Sequence, residues 1–160
     1  MIDENASEAI VELLVSEGVL RPSDCAMVVA DSGGHAVGAV SRNARVVVFM
    51  DASRESLEAG RRCSEGGCKV ELFERDWTTY VPSRGRYDFC MVCPSVLSEP
   101  ASLMRMEQVA DRCVALFEDL GEASKFAERL ESEGRGPSSD IAEGVVAVSW
   151  FPSGSDPGKG

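Results

Sequence analysis

The chain has 160 residues, and 27 acidic against 16 basic side chains leave a net charge of −11. That length suits one domain with a sizeable core, and a composition 44% apolar and 27% charged is globular. The acidic excess argues against a nucleic-acid backbone or an anionic membrane as the main partner, because both need a basic face. A small anionic ligand stays open, since local backbone donors can outweigh the global field.

The opening MIDENASEAI has acids where a signal peptide needs basic residues before an apolar core. No stretch approaches the ~18 apolar residues needed to span a bilayer. The expected compartment is therefore the cytoplasm. There Cys25, Cys63, Cys68, Cys90, Cys93 and Cys113 are expected as free thiols rather than a disulfide framework.

In chain order, Asn5 to Glu17 has helical spacing, with Ile10, Leu13 and Leu14 on one side, Asn5 or Ser7 as cap and Gly18 as stop. After the turn Arg21-Pro22-Ser23-Asp24 comes the organising stretch, Ala26 to Ser53. Its apolar runs, Val28 to Ala30 and Val46 to Met50, are continuous, as in parallel strands covered on both faces. Each ends in an acid, Asp31 and Asp51, with Gly33-Gly34 and a small-residue helix (Gly34 to Ala44) between them. A nucleotide-binding α/β unit needs this order. The turn lets backbone approach a ligand, and the second acid can accept from ribose hydroxyls. An ordinary crossover without ligand fits the same stretch.

Ser53 caps a helix to about Arg62, and Lys69 to Phe73 is a third strand, followed by Asp76-Trp77 and a polar loop to Gly85. Tyr87 to Cys93 is the fourth strand. Ser98-Glu99-Pro100 starts a helix whose buried stripe is Leu103, Met106, Val109, Ala110 and Cys113. Val114 to Phe117 is a short fifth strand, Glu122 to Glu133 a helix, Gly134 to Asp140 a loop, and Gly144 to Phe151 a last strand. Residues 153–160 are expected as a disordered tail to a single α/β domain over 1–152. The alternation predicts a three-layer αβα, doubly wound, mostly parallel Rossmann-like sheet.

With these elements placed, Ala6 to Phe151 resembles a class I S-adenosylmethionine-dependent methyltransferase. Asp31-Ser32-Gly33-Gly34 stands where that family has its acid and glycine-rich loop, and Asp51 where it binds the cofactor's ribose. Asp76-Trp77 stands where family members place an acid on the adenine amine and an aromatic beside the ring. YDFCMVCPSVL is similar to the fourth strand that faces the methyl group. SEPASLMRMEQVADRC resembles a helix of one anaerobe and archaeal branch. The resemblance implies strand order 3-2-1-4-5 with Gly144–Phe151 beyond or beside the fifth, and cofactor contacts at Asp31, Gly33, Gly34, Asp51, Asp76 and Trp77. Two departures stand out: the glycine loop is several residues shorter than glycine-x-glycine-x-glycine, and the C-terminal hairpin is expected to be truncated.

Each candidate has a bland counterpart. Asp51 can cap the next helix with Ser53, and Trp77 can cover the sheet's end. His35, the only histidine, fits a filled turn or solvent better than a base, because a helix N-terminus disfavours its protonated form. Cys90 and Cys93, three apart on a strand, point to opposite faces and do not converge on a metal.

The resemblance implies methyl transfer from S-adenosylmethionine to a small molecule or protein. The sulfonium is itself a strong electrophile, so no base is obligatory and no catalytic residue is named. The alternative is a methyltransferase-fold binding or scaffold protein that has lost catalysis, holding the cofactor weakly or not at all. An exposed sheet edge would pair such a protein with a partner or a second copy. A nicotinamide-dependent oxidoreductase fits less well without GxGxxG spacing.

Overall fold

The computed structural model describes residues 1–82, 86–98 and 101–152. The expectations for the C-terminal tail, for the loop through Gly85 and for a helix start at Glu99-Pro100 fall outside the described residues.

Helix α1 (Glu4–Ser16) starts from Asp3, whose Oδ1 accepts the Ala6 N–H at 2.8 Å, so the cap lies before Asn5 and Ser7. Gly18, at φ +75°, ends it. Then follow β1 (Cys25–Val29), α2 (His35–Ser41), β2 (Val46–Asp51), α3 (Arg54–Cys63) and β3 (Lys69–Glu74). A 3₁₀ turn (Trp77–Thr79) leads to β4 (Tyr87–Val92), and a second (Pro94–Val96) to α4 (Ser102–Val109). The chain closes with β5 (Ala110–Phe117), α5 (Leu120–Ser132), β6 (Ser138–Ala142) and β7 (Val145–Trp150).

One sheet holds all seven strands in the order β3-β2-β1-β4-β5-β7-β6, with β1 to β5 parallel and β7 antiparallel to both β5 and β6. The parallel order is the expected one. The C-terminal hairpin, expected to be truncated, is complete. Its first strand was hidden because Ser138–Ala142 is an edge strand exposed along much of its length, and its polar sequence reads as loop. Glu143 (φ +51°) and Gly144 (φ +77°) close the hairpin with the left-handed pair that a two-residue turn demands.

A second boundary moves as well. Ala110 and Cys113, expected on the helix stripe, belong to β5, opposite Tyr87 and Cys90. Their spacing from Met106 and Val109 satisfies a helix, but pairing with β4 claims them.

Helices α1 to α3 cover one face of the sheet, with Leu14, Val37, Phe49 and Met91 in that core. Helices α4 and α5 cover the other over β4, β5 and β7, with Met27, Met106, Trp150 and Leu130. The β3–β4 connection brings no helix among its described residues, only the 3₁₀ turn. The second face of β2 and β3 is accordingly open: Val48, Phe73 and Tyr87 are half-buried there around a cavity of about 450 Å³.

Cys93 packs in the first core and Cys90 in the second, on opposite faces as their spacing requires. Burial pushes the Cys90, Cys93 and Cys113 thiols well up from their ordinary range. Thiolate is the reactive form. Titration with a thiol reagent on the native protein is therefore expected to label Cys25, Cys63 and Cys68 first, and Cys90, Cys93 and Cys113 only after denaturant is added. Native labelling of the buried three at comparable rates would contradict this packing.

Candidate functional site

The parallel strands end on one side of the sheet, and β1 and β4 diverge there into connections on opposite faces. That crevice is the ligand site of open α/β sheets. Ala30 follows β1 with φ +61°, its N–H donating to Met50 O at 2.9 Å. Asp31 then turns inward. It is buried, and its Oδ2 accepts the Val37 N–H at 2.9 Å in the first turn of α2. Burial raises its carboxyl above the usual range, against the lowering pull of the Val37, Ala36 and Gly34 amides and of His35.

Gly34 is in the left-handed region at φ +78°, and a Cβ there would stand 2.6 Å from the backbone of Ala59 and Gly60. At Gly33 a Cβ would meet the Met1 side chain at 2.9 Å. These two glycines thus admit α3 and the N-terminal segment; neither lines the cavity at the strand ends. His35 follows, its Nδ1 3.6 Å from Cys63 Sγ, which fills the turn.

Asp51 ends β2 half-buried, with Oδ1 accepting the Ser53 N–H at 2.8 Å. Partial burial raises its pKa, opposed by the Ser53 and Ala52 amides. Asp76 is exposed and caps the 3₁₀ turn, accepting from Thr78 Oγ1 (2.8 Å) and Thr78 N–H (2.9 Å), bonds that hold its carboxyl below the usual range. Trp77 is only 2% exposed. Its Nε1 donates to Ser102 Oγ at 2.9 Å, Tyr80 stacks on it at 6.1 Å, and the Arg105 guanidinium lies 5.4 Å from its ring centre. Mostly core, it presents one margin to the crevice.

Asp51, Asp76 and Trp77 line one cavity of about 160 Å³, together with Ser32, Ser95 and Ala30. Asp31 lines a second of about 70 Å³, with Cys93, Glu118 and Met1. Ala30, Ser32 and Ser95 border both, so the two cavities adjoin. The six residues predicted from the sequence therefore separate: three share the larger cavity, Asp31 stands in the smaller, and the two glycines pack against neighbouring chain. Ser32, Ser95 and Glu118 were not singled out. Ser32 lies inside the quoted turn and Ser95 just past the fourth strand's proline, so strand-end position was the signal that marks them.

Among the described residues no three His, Cys, Asp or Glu side chains are placed to hold a metal ion, and no helix is long and apolar enough to cross a membrane.

No family model matches the chain, and no curated protein matches it in sequence. Solved structures do match. Precorrin 8W decarboxylase of Methanobacterium thermoautotrophicum superposes with a TM-score of 0.68 at 15% identity, over 89% of each chain. Magnesium protoporphyrin IX methyltransferase of Synechocystis with bound SAM gives 0.70 at 13% identity, over 93% of this chain and 79% of that one. Its complex with SAH gives 0.69 at 12% identity, over 93% and 83%. Sheet order, complete terminal hairpin and these superpositions agree: the chain has the class I S-adenosylmethionine-dependent methyltransferase fold.

Proposed function

We propose that the chain is a methyltransferase-like protein whose strand-end crevice takes the adenosyl end of S-adenosylmethionine. The observation that carries this is the meeting of Asp51, Asp76 and Trp77 in one cavity beside the point where the sheet order reverses. Asp51 would accept from the ribose hydroxyls, Asp76 from the adenine amine, and the margin of Trp77 would flank the ring. When bound, the cofactor supplies an activated methyl group, and the protein's task is to position it and exclude water.

The methionyl end fits less well. The Asp31 cavity holds only about 70 Å³, with Met1 and Ile2 in its lining. Both cavities fall short of the roughly 300 Å³ at which ligand sites begin. Cofactor binding in this reading is weak, and a binding or scaffold role is the second reading that the small volume of the crevice favours. No nucleic acid is assigned as partner, given the charge of −11. Calorimetric titration with S-adenosylmethionine and S-adenosylhomocysteine tests it. Saturable binding in the micromolar range or weaker supports the proposal, and absence of heat at millimolar ligand overturns it in favour of the scaffold.

A further inference from the structure

Among the described residues the sheet has two edges without a strand partner, β3 and β6, and β3 borders the face that no described helix covers. Glu71, Leu72 and Phe73 of β3, and Arg75 just past its end, line the open cavity there. Arg75 folds back so that its guanidinium lies 5.2 Å from the Phe73 ring centre. Leu72 is 37% exposed, an apolar residue on this edge. The Arg75 N–H donates inward to Asp51 O at 3.1 Å. By strand alternation the amides of Leu72 and Glu74 then point outward, with no strand among the described residues beside them.

We infer that this edge pairs with the β3 edge of a second copy, antiparallel about a two-fold axis at Phe73. A two-fold axis perpendicular to the sheet keeps like faces on the same side, so opposed residues must be an even number of positions apart in sequence or identical. Charge then chooses among the registers that remain. Centring on Phe73 sets Glu71 opposite Arg75 of the second copy, twice, with the two Phe73 rings between them and Leu72 opposite Glu74. Centring on Leu72 sets Lys69 against Arg75; centring on Glu71 or on Glu74 sets carboxylate against carboxylate. Opposite charges directly across strands stabilise and like charges destabilise. Centring on Val70 also sets Lys69 opposite Glu71 twice without repulsion, but β3 begins at Lys69, so only three residues a side can pair there. The Phe73 register combines two attractive pairs, no repulsive one and five paired residues a side, Glu71 to Arg75, the last still on the ladder through its bond to Asp51 O.

Forming it exchanges the exposed Lys69–Glu71 pair (3.3 Å) for Glu71–Arg75 pairs across the dyad. Lys69, the kind of residue that blunts an edge, lies outside the paired centre. The open aromatic faces of the two copies, with Tyr80 and Tyr87, become continuous across the axis. One step further along, this register sets Asp76 opposite Val70 of the second copy, at the rim of the strand-end crevice; sedimentation without cofactor tests the interface separately from the proposed function.

The test is sedimentation of the full chain and of E71R, R75E and the charge-swapped E71R/R75E double variant, with circular dichroism to confirm that each is folded. Wild type is expected to be a dimer at micromolar concentration, and each single variant to dissociate at least tenfold more readily. The double variant, with both pairs restored in reverse, is expected to return to dimer. A wild-type monomer at high micromolar concentration overturns the inference. So does a dimer indifferent to the single charges, or a double variant no better than the singles.

Discussion

Replacing Arg112 by alanine is expected to cost about 3–5 kcal/mol of stability, the scale seen when one partner of a buried ion pair is removed. Its Nη2 meets Asp24 Oδ1 at 2.6 Å and its Nη1 meets Asp24 Oδ2 at 2.8 Å, with Nη1 also donating to Val19 O. Both side chains are nearly excluded from solvent, at 8% and 3%. Asp24 stands just before β1, where its Oδ2 accepts the Arg21 N–H and its carbonyl the Arg45 N–H, while Arg112 sits in β5 two strands away. The pair therefore clamps the lead-in turn across the underside of β4. Without the guanidinium the carboxylate is buried and uncompensated. Replacing both, Arg112→Met with Asp24→Leu, removes the stranded charge and is expected to cost far less. Urea unfolding at neutral pH measures both, and a single-variant loss below about 1 kcal/mol would contradict the clamp.

Gly34→Ala is the second large effect, expected at about 2–5 kcal/mol from left-handed strain together with overpacking. The new methyl would stand 2.6 Å from the α3 backbone at Ala59 and Gly60, which cannot rotate away as a side chain would. The crossing of α2 and α3 must then open. The same substitution at Gly136, where a Cβ would meet nothing within 4 Å, is the control and should cost little. Equal unfolding midpoints for the two variants would show that the glycine turn is not held by α3.

The parallel part of the fold was legible because its information is local. Continuous apolar runs at Val28–Val29 and Val46–Met50, breakers between them and Ser53 as cap each fix an element from neighbouring residues; Ser53 Oγ accepts the Ser56 N–H as expected. The misplaced parts are those where a distant partner decides. Ala110 to Cys113 follow a helical stripe, yet β4 pairs with them as strand and Arg112 reaches Asp24 from there. Ser138–Ala142 has no apolar face to announce it, and only the buried β7 makes it a strand. The helix stop at Gly18 was legible; the cap at Asp3 was passed over for residues equally suited by type.

The strand-end positions of Asp31 and Asp51 were legible because strand ends can be read from the apolar runs that precede them. What each acid faces could not be read. Asp31 closes the first turn of α2, whereas Asp51 opens to the crevice, and the difference rests on a backbone at Ala30 that takes positive φ without glycine. Trp77 is a core residue bonded to Ser102 with one margin on the cavity.

Asp51 is proposed to hold the nucleoside end of the cofactor. That role is tested most directly by titrating S-adenosylhomocysteine into wild type and Asp51→Ala, following Trp77 fluorescence alongside calorimetry. Losing a hydrogen-bonded contact of about 1–3 kcal/mol corresponds to roughly a tenfold or greater loss of affinity. Saturable wild-type binding is expected, weakened at least that far in the variant, with circular dichroism confirming that the variant is folded despite losing the Ser53 bond. Equal affinity in the two proteins would contradict it and remove Asp51 from the site.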